Sequence, residues 1–256
     1  MSGYILETKK LGISFGGLTA AQDVDLRIPK EGIYGLIGPN GAGKTTIFNL
    51  LTGVYQPTTG QVLLDGQDLT GLGPDKICRL GLARTFQNIR LFNNMTVVRN
   101  VMVGLQNRPE YACSVIESVL RLPRHRRVEG QMRQRAKDLL RIFGLEEDRN
   151  ALACSLPYGK QRKLEIARAL ATDPKVLLLD EPAAGMNPHE TEDLANTIRQ
   201  IRDDFGMTIL LIEHDMRFVA DLCDQVTVLN FGTILAQGST QTVLQDPAVI
   251  KAYIGG

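Results

Sequence analysis

The stretch GPNGAGKT (38–45) combines glycines, a lysine and a threonine at the spacing of a loop that wraps phosphate groups. The apolar run IYGLIG (33–38) before it predicts a strand, and TTIFNLL (45–51) predicts a helix after it. Glycines allow such a loop to turn its backbone N–H groups inward, and the N-terminus of the helix adds positive partial charge. We therefore expect a purine nucleoside triphosphate, with Mg²⁺, as the ligand. The predicted binding residues are Gly38, Pro39, Asn40, Gly41, Ala42, Gly43, Lys44, Thr45 and Thr46.

Three side chains of this loop have separate predicted roles. Lys44 can reach the β- and γ-phosphates as a point charge. The hydroxyl of Thr45 is suited to Mg²⁺, and the hydroxyl of Thr46 is suited to a phosphate oxygen. The alternative is a glycine-rich turn that only caps a helix, but the strand before the loop and the helix after it favour a phosphate site.

A second candidate lies in KVLLLDEP (175–182), where two carboxylates follow four apolar residues. The apolar run predicts a buried strand, and α/β sheets bind their ligands at the carboxyl ends of strands. Asp180 is expected to hold Mg²⁺ through water, and Glu181 to act as the general base that activates the attacking water. A lone Asp-Glu pair is also common in surface turns, so this prediction depends on the phosphate loop earlier in the chain.

Two further polar residues are candidates for the same sheet edge. His214 follows the apolar run of TILLIEHD (208–215), where we expect it to contact the γ-phosphate; the alternative is a structural histidine. Gln87 follows a short apolar segment in TFQNIRLF (85–92). Its amide is predicted to contact Mg²⁺ or the attacking water and to respond to the helical region beside it, with a surface residue as the alternative.

Hydrophobic patterning indicates the elements that must position these residues. Short alternating bursts in the first thirty residues predict antiparallel strands, and the chain after residue 155 predicts alternating helices and strands. From about residue 71 to residue 144 the pattern is helical, and a hairpin turn is expected at Asn230–Gly232. These patterns predict an α/β protein with a parallel core, an N-terminal antiparallel β layer and an inserted helical subdomain.

Composition argues against several classes of protein. The 256-residue chain has a net charge of +1, so an obligatory polyanionic partner is not implied. Its cysteines form no paired motif, which favours reduced thiols in a cytoplasm over a disulfide framework or a zinc site. The chain has no run of 18 apolar residues and no signal-peptide pattern, so we expect it not to span a membrane on its own. The cysteines are Cys78, Cys113, Cys154 and Cys223.

The motifs occur in a distinctive order: GPNGAGKTT (38–46), Gln87, LPYGKQR (156–162), LLLDEP (177–182) and EHD (213–215). This order resembles the ATP-binding subunits of ABC transporters, and the resemblance covers essentially the whole chain. It implies a P-loop NTPase (RecA-like) core in a single ABC ATPase domain over residues 1–256. The catalytic lobe would cover about 1–87 and 161–256, and the helical subdomain about 88–160.

The resemblance also implies a site shared between two subunits. In this family the stretch before the buried strand usually reads L-S-G-G-Q, and it faces the γ-phosphate of an ATP held by a second subunit. Here it reads LPYGK (156–160), which implies that Tyr158, Gly159 and Lys160 contact that nucleotide. Pro157 replaces the usual serine and lacks both a hydroxyl and an N–H. We therefore expect the composite site built from this stretch to be the weaker of the two.

Two more positions receive roles from the resemblance. Phe15, in SFGGLTA (14–20), lies where an aromatic residue of the family stacks on adenine; the alternative is a core residue of a strand. The segment AAGMNP (183–188) corresponds to the loop that crosses the dimer interface. It has Asn187 where many relatives have aspartate, which leaves its coupling role open.

A closer resemblance is to the ATPases of branched-chain amino-acid importers. It rests on RTFQNIRLFNNMTVVRNV (84–101), the LPYG stretch, DEPAAGMNP (180–188) and ILLIEHDM (209–216). It implies an ATP-hydrolysing, energy-coupling subunit that is peripheral to the cytoplasmic face of the inner membrane. Its partners would be a second, different ATPase, two membrane permeases and, indirectly, a periplasmic binding protein.

Several other functions remain open at this point. Related ABC systems for lipopolysaccharide or lipid export, or for urea or amide uptake, would share every catalytic residue. A soluble ABC ATPase that acts on DNA or ribosomes usually has duplicated cassettes, long coiled coils or zinc modules. A P-loop kinase or GTPase is disfavoured by the LPYG and EHD motifs and by the lack of a guanine-reading motif.

The stretch RLPRHRRVEGQMRQRAK (121–137) is strongly basic. We interpret it as a solvated helical face, with attraction to anionic lipids or to an acidic permease surface as the alternative. Aromatic residues are not interleaved with these charges, so nucleic-acid binding is not expected. A permease helix is instead expected to contact Leu91, Phe92 and Met95.

Overall fold

The computed structural model describes residues 3–111 and 123–254. Contacts divide the chain into a first unit, formed by Met1–Gln87 and Lys175–Gly256, and a second unit, Asn88–Pro174. Cys113, which is expected to be a reduced thiol, lies outside the described residues, as do the first two residues of the basic stretch.

The strands of the described chain all lie in the first unit. They are β1 (Tyr4–Phe15), β2 (Leu18–Val24), β3 (Arg27–Pro29), β4 (Gly32–Ile37), β5 (Thr59–Leu64), β6 (Gln67–Asp68), β7 (Leu82–Arg84), β8 (Val176–Asp180), β9 (Thr208–Ile212), β10 (Gln225–Asn230) and β11 (Thr233–Ser239).

The described helices are distributed over both units. Those of the first unit are α1 (Lys44–Leu51), α2 (Pro74–Leu80), α6 (Pro188–Phe205), α7 (Met216–Leu222), α8 (Thr240–Leu244) and α9 (Pro247–Ile254). Those of the second unit are α3 (Val97–Leu105), α4 (Pro123–Ile142) and α5 (Tyr158–Leu170), with short 3₁₀ turns at Pro109–Tyr111 and Ala153–Ser155.

A six-stranded sheet in the order β11-β10-β4-β9-β8-β7 forms the core of the first unit. Neighbours from β10 to β7 run parallel, and β11 returns antiparallel to β10. Every residue of β4, β8 and β9 is buried, as expected for parallel strands that are covered on both faces. The apolar runs in the sequence therefore predicted these strands correctly.

The carboxyl ends of the parallel strands bring four loops to one edge of this sheet. In the ladder, Arg84 at the end of β7 lies beside Leu178 of β8, and Asp180 at the end of β8 lies beside Ile212 of β9. The segments that follow β4, β7, β8 and β9 are those in which the sequence predicted phosphate, metal and base residues. Parallel pairing therefore explains why motifs distant in the chain can form one site.

A second, antiparallel sheet has the order β2-β1-β5-β6, with β3 paired to the other part of β1. Its buried residues, among them Leu6, Leu11 and Val62, share one hydrophobic cluster with Phe48 of α1. The expected α/β fold with an antiparallel layer near the N-terminus is confirmed.

One strand contradicts the helical pattern expected between residues 71 and 144. β7 (Leu82–Arg84) pairs parallel with β8 and forms an edge of the core sheet. It has only three residues, which is too short for a periodic pattern to be visible. Gln87 therefore follows an edge strand of the core.

The described part of the second unit is helical, and α3 packs against both α4 and α5. Gly104 of α3 permits close packing, because a Cβ atom there would lie 2.3 Å from the carbonyl oxygen of Arg168 in α5. Since α5 packs on α3, it lies whole in this unit, which extends to Pro174 rather than to about residue 160.

Candidate active site

The phosphate loop, residues 38–45, follows β4 and ends in the first two residues of α1. Gly38 has φ 149°, and a Cβ atom there would lie 2.2 Å from the carbonyl oxygen of Leu229. Gly43 has φ 100°, and its Cβ would lie 2.9 Å from the carbonyl oxygen of Ala20. At these two positions the backbone conformation and the close neighbours both require glycine. The loop is thereby seated against β10 and β2.

Lys44 lies within the curve of its own loop. Its Nζ donates hydrogen bonds to the carbonyl oxygens of Gly38, at 2.6 Å, and of Pro39, at 2.9 Å. The residue is 5% exposed. Burial lowers the pKa of Lys44, and the nearby charge of Glu181 opposes that shift.

The N-terminus of α1 is open to an anion. Its N-cap is Gly43, and no described side chain caps it. The first backbone N–H groups of a helix have no partner within the helix, so they favour a phosphate. Thr45 is exposed and Thr46 is half-buried at this end of the helix; the roles of their hydroxyls stay predictions.

The three residues predicted to act in hydrolysis are in contact through the carboxylate of Glu181. Gln87 Nε2 donates to Glu181 Oε2 at 2.8 Å, and His214 Nε2 lies 2.7 Å from Glu181 Oε1. Glu181 follows β8 directly and has φ 47°, a left-handed conformation that is uncommon outside glycine. Strain of this kind persists only where surrounding contacts hold it. Here both carboxylate oxygens are held.

Asp180, the predicted Mg²⁺ residue, is buried at the end of β8 and has a charged partner that sequence reasoning missed. Arg84 Nη2 donates to Asp180 Oδ2 at 2.7 Å, and the two side chains are only 5% and 4% exposed. The backbone N–H of Asp180 also points to Thr85 Oγ1, at 3.4 Å. The carboxylate is thus fixed from the side of β7.

Glu213 is a second residue that sequence reasoning missed. Its Oε1 accepts the N–H of Ala183 at 2.8 Å, and its Oε2 accepts the N–H of His214 at 3.1 Å. It therefore ties the loop after β8 to the loop after β9. Burial raises the pKa of Glu213, and the two backbone hydrogen bonds oppose the shift. The only sequence signal was a glutamate immediately before His214.

Phe15 is exposed at the end of β1, with 46% of its surface accessible. It is therefore not a core residue of the strand. Its ring meets the ring of Tyr55 edge-on, with centroids 5.3 Å apart and planes inclined by 73°. An exposed ring with its edge supported in this way can offer a face to a flat base.

The LPYGK stretch lies at the start of α5, in the second unit. Pro157 is the N-cap of this 13-residue helix, and no described side chain caps its N-terminus. Tyr158 is 44% exposed, and Gly159 is buried. Lys160 Nζ pairs with Asp148 Oδ2 at 2.7 Å. The cation expected to face a phosphate is therefore bound within its own subunit in this conformation.

Behind that helix start, Arg162 is fully buried. Its Nη1 donates to Glu165 Oε2 at 2.9 Å, and Glu165 Oε1 accepts the backbone N–H of Arg90 at 3.0 Å. Tyr158 lies beside the same guanidinium, 3.3 Å from its Nη2. The start of α5 is thus linked to the segment that follows Gln87 in the sequence.

The sequence model of the ABC transporter family matches residues 21–184. The chain belongs to this family. The match spans the phosphate loop, the LPYGK stretch and the Asp180–Glu181 pair. The chain is accordingly an ABC ATPase.

Two relatives of this ABC ATPase are similar along their whole length. BraF of Pseudomonas aeruginosa, a high-affinity branched-chain amino acid transport ATP-binding protein, is 46% identical over 255 residues, 100% of this chain and 99% of BraF. LivG of Escherichia coli K12, described in the same words, has the same identity and coverage. LptB of Haemophilus influenzae, a lipopolysaccharide export system ATP-binding protein, is 32% identical and covers 98% of this chain and 97% of LptB.

Solved structures of ATP-binding cassettes share the fold of this ABC ATPase. A cassette of an ABC transporter in its ADP conformation has a TM-score of 0.84 at 31% identity, with 99% of both chains covered. A nucleotide-free cassette has a TM-score of 0.85 at 32% identity and covers 99% of this chain and 100% of the other. The P-loop NTPase fold expected from the sequence is confirmed.

The polar groups of this ABC ATPase fit ATP with Mg²⁺. The carboxylate of Asp180 and the hydroxyl of Thr45 are oxygen ligands, and Mg²⁺ is usually held by one or two carboxylates together with substrate phosphates and waters. Three or more clustered His, Cys, Asp or Glu side chains that could hold a metal are not found within residues 3–111 and 123–254.

In the described residues, none of the helices combines the length and the apolar composition needed to span a membrane.

Proposed function

We propose that this ABC ATPase drives a membrane importer of branched-chain amino acids. The observation that carries the catalytic part is the convergence of Gln87 and His214 on the two carboxylate oxygens of Glu181, at the sheet edge that also carries the phosphate loop. The substrate follows from the full-length similarity to BraF and LivG, whose names state branched-chain amino acid transport.

ATP is held by the phosphate loop and by Phe15. Residues 38–46 surround the phosphates with backbone N–H groups, Lys44 and two threonine hydroxyls, and Phe15 stacks on adenine. Thr45, Asp180 and Gln87 hold Mg²⁺, which when bound neutralises charge on the β- and γ-phosphates.

Hydrolysis depends on Glu181 as the general base. Its carboxylate accepts a proton from water as the water attacks the γ-phosphorus in line with the leaving ADP oxygen. His214 contacts the γ-phosphate, and Gln87 orients the water. Both residues bind Glu181 in this structure, so they also control whether its oxygens are free to act.

A second subunit completes the site. Tyr158, Gly159 and Lys160 contact the ATP that is held by the partner's phosphate loop, and the partner's equivalent stretch contacts the ATP held here. The partner is a different ABC ATPase, and the pair binds two permeases at the cytoplasmic face of the inner membrane. A periplasmic binding protein delivers the amino acid to the permeases.

Uptake of labelled leucine by a strain that lacks this chain tests the proposal. We expect uptake to be lost in that strain and restored by the parental chain. Glu181→Gln should fail to restore it, whereas Glu192→Gln, a matched change at an exposed position of α6, should restore it in full.

Undiminished leucine uptake after deletion would refute the substrate. The similarity to LptB supports lipopolysaccharide export as the second candidate. Increased outer-membrane permeability in the same strain, together with normal leucine uptake, would favour that function.

A further inference from the structure

Arg84 joins three elements of the first unit through one guanidinium. Nη2 donates to Asp180 Oδ2 at 2.7 Å, at the end of β8. Nη1 donates to Asn49 Oδ1 at 2.7 Å and lies 3.4 Å from Thr52 Oγ1, both in α1. Arg84 itself ends β7, so this one side chain ties β7 to the phosphate-loop helix and to the strand that presents the metal carboxylate.

Two aromatic rings hold the guanidinium in place. Its central carbon lies 5.5 Å from the ring centroid of Phe48 and 5.1 Å from that of Phe86. Stacking on aromatic faces and a planar fork of donors are properties of arginine that lysine does not share. The Arg84 side chain is only 5% exposed, and its Nη1 and Nη2 groups both donate to protein acceptors.

The burial of the Arg84–Asp180 pair argues for a role in geometry. Removing two charges from water costs free energy that their mutual attraction seldom exceeds, so a buried ion pair is weak grounds for stability. What the pair does provide is a fixed position for the Asp180 carboxylate relative to α1, the helix that begins with Lys44 and Thr45. These are the two elements whose oxygen groups must meet one Mg²⁺.

We propose that Arg84 is a positioning residue for the metal end of the nucleotide site. It contacts neither nucleotide nor metal, and it orients Asp180 against α1 so that both can serve the same Mg²⁺. The inference rests on the proposed function, in which Thr45 and Asp180 hold that ion. Partners that orient a metal-binding side chain typically change metal affinity by about 10- to 100-fold when they are replaced.

Binding of a fluorescent ATP analogue to the full-length chain tests the proposal, in EDTA and across a Mg²⁺ titration. For Arg84→Met we expect the affinity in EDTA to stay near the parental value, while the Mg²⁺ concentration for half-maximal enhancement of binding rises about 10- to 100-fold. Arg84→Lys, which keeps the charge without the fork, should fall between the two. Arg199→Met, at a surface ion pair with Asp221, should behave as the parental chain.

A role that is only structural predicts a different pattern. In that case melting temperature and the affinities in EDTA and in Mg²⁺ fall together, and an unchanged Mg²⁺ midpoint in Arg84→Met would overturn the proposal. If Arg84→Met does not fold, Asn49→Ala removes the shorter of the two contacts between Arg84 and α1 and should still raise the midpoint; no rise would again overturn the proposal. If the parental chain itself binds the analogue independently of Mg²⁺, the metal assignment of the proposed function fails instead.

Discussion

Both carboxylate oxygens of Glu181, the catalytic residue predicted from the sequence, have a protein partner. Gln87 holds one oxygen at 2.8 Å, and His214 lies 2.7 Å from the other. A general base must be within hydrogen-bond reach of the proton that it accepts. A carboxylate oxygen can accept more than one hydrogen bond, so the attacking water shares Glu181 with these two partners. We therefore expect hydrolysis to depend on the segments after β7 and β9 as well as on Glu181 itself.

Replacement of Glu181 by glutamine tests the base at the scale of a single residue. The amide keeps the size of the side chain but cannot take the proton, so we expect ATP hydrolysis to fall by about 10²- to 10⁴-fold. Nucleotide binding should be retained and the ATP-bound dimer should accumulate, as size-exclusion chromatography with ATP can show. Glu192→Gln is the control, and hydrolysis at the parental rate by Glu181→Gln would remove Glu181 from the base role.

The sequence predicted which residues would meet, but not how they would be held. Lys44, Asp180, Glu181 and His214 were found because each has a characteristic neighbourhood next to an apolar strand. Arg84 has no such pattern, and its partner Asp180 is 96 positions away in the chain. A buried pair of that kind becomes visible only when the register of β7 and β8 is known.

At the scale of elements, the loop that departs from the family pattern is also the start of a helix. Asn187 is the N-cap of α6; its side chain accepts the N–H of Glu190 at 3.0 Å, and the Glu190 side chain accepts the N–H of Asn187 at 3.1 Å. Asparagine and aspartate are about equally good at this position. The substitution therefore conserves the geometry of the helix start whatever it does at a dimer interface.

Asn187→Ala should accordingly destabilise the chain, while Asn187→Asp should not. Loss of an N-cap side chain typically costs about 1 kcal/mol, because an N–H in the first turn loses its acceptor. Urea denaturation of the three chains measures the difference. An alanine variant as stable as the parent would show that the capping box contributes nothing here.

Element prediction succeeded where the pattern was long and failed where it was short. The buried strands β4, β8 and β9 and the long helix α6 were visible as apolar runs or as helical periodicity. β7 has three residues, and its neighbours along the chain are helical, so the sequence pattern did not predict this edge strand of the core sheet. The extent of the second unit also depended on packing, since α5 is held by contact with α3 through Gly104.

At the scale of the whole molecule, the start of α5 has two deficits as a phosphate-binding element. Pro157 offers no hydroxyl and no N–H, and Lys160 is paired with Asp148. Exposed ion pairs of this kind are weak. We therefore expect the phosphate of an ATP held by the partner subunit to displace Asp148 from Lys160, but the phosphate must compete with this carboxylate. The composite site built from this element is therefore expected to be the less active of the two in the assembled transporter.

Pro157→Ser should raise the ATPase activity of the assembled complex. A hydrogen bond to a charged group contributes about 1.5–3 kcal/mol, so the gain should be roughly 10- to 160-fold if this site limits turnover. Pro157→Ala restores the N–H without the hydroxyl and should give a smaller gain. Because serine is also a good N-cap, the stability of the isolated chain is measured alongside; activity unchanged from the parent would contradict the expectation.

The position of Lys44 also has a consequence for which molecules can enter the loop. Two of the three donors of its ammonium are taken by the carbonyl oxygens of Gly38 and Pro39, so a ligand that draws the ammonium away from the loop must offer it better acceptors. Phosphate oxygens do so, because they carry negative charge and their hydrogen bonds to the ammonium are also ion pairs. Adenosine has no such group, so we expect a nucleoside that contacts the proposed stacking residue Phe15 to leave the two hydrogen bonds of Lys44 in place. We therefore expect the loop to bind nucleotides that have a polyphosphate chain and to bind nucleosides only weakly.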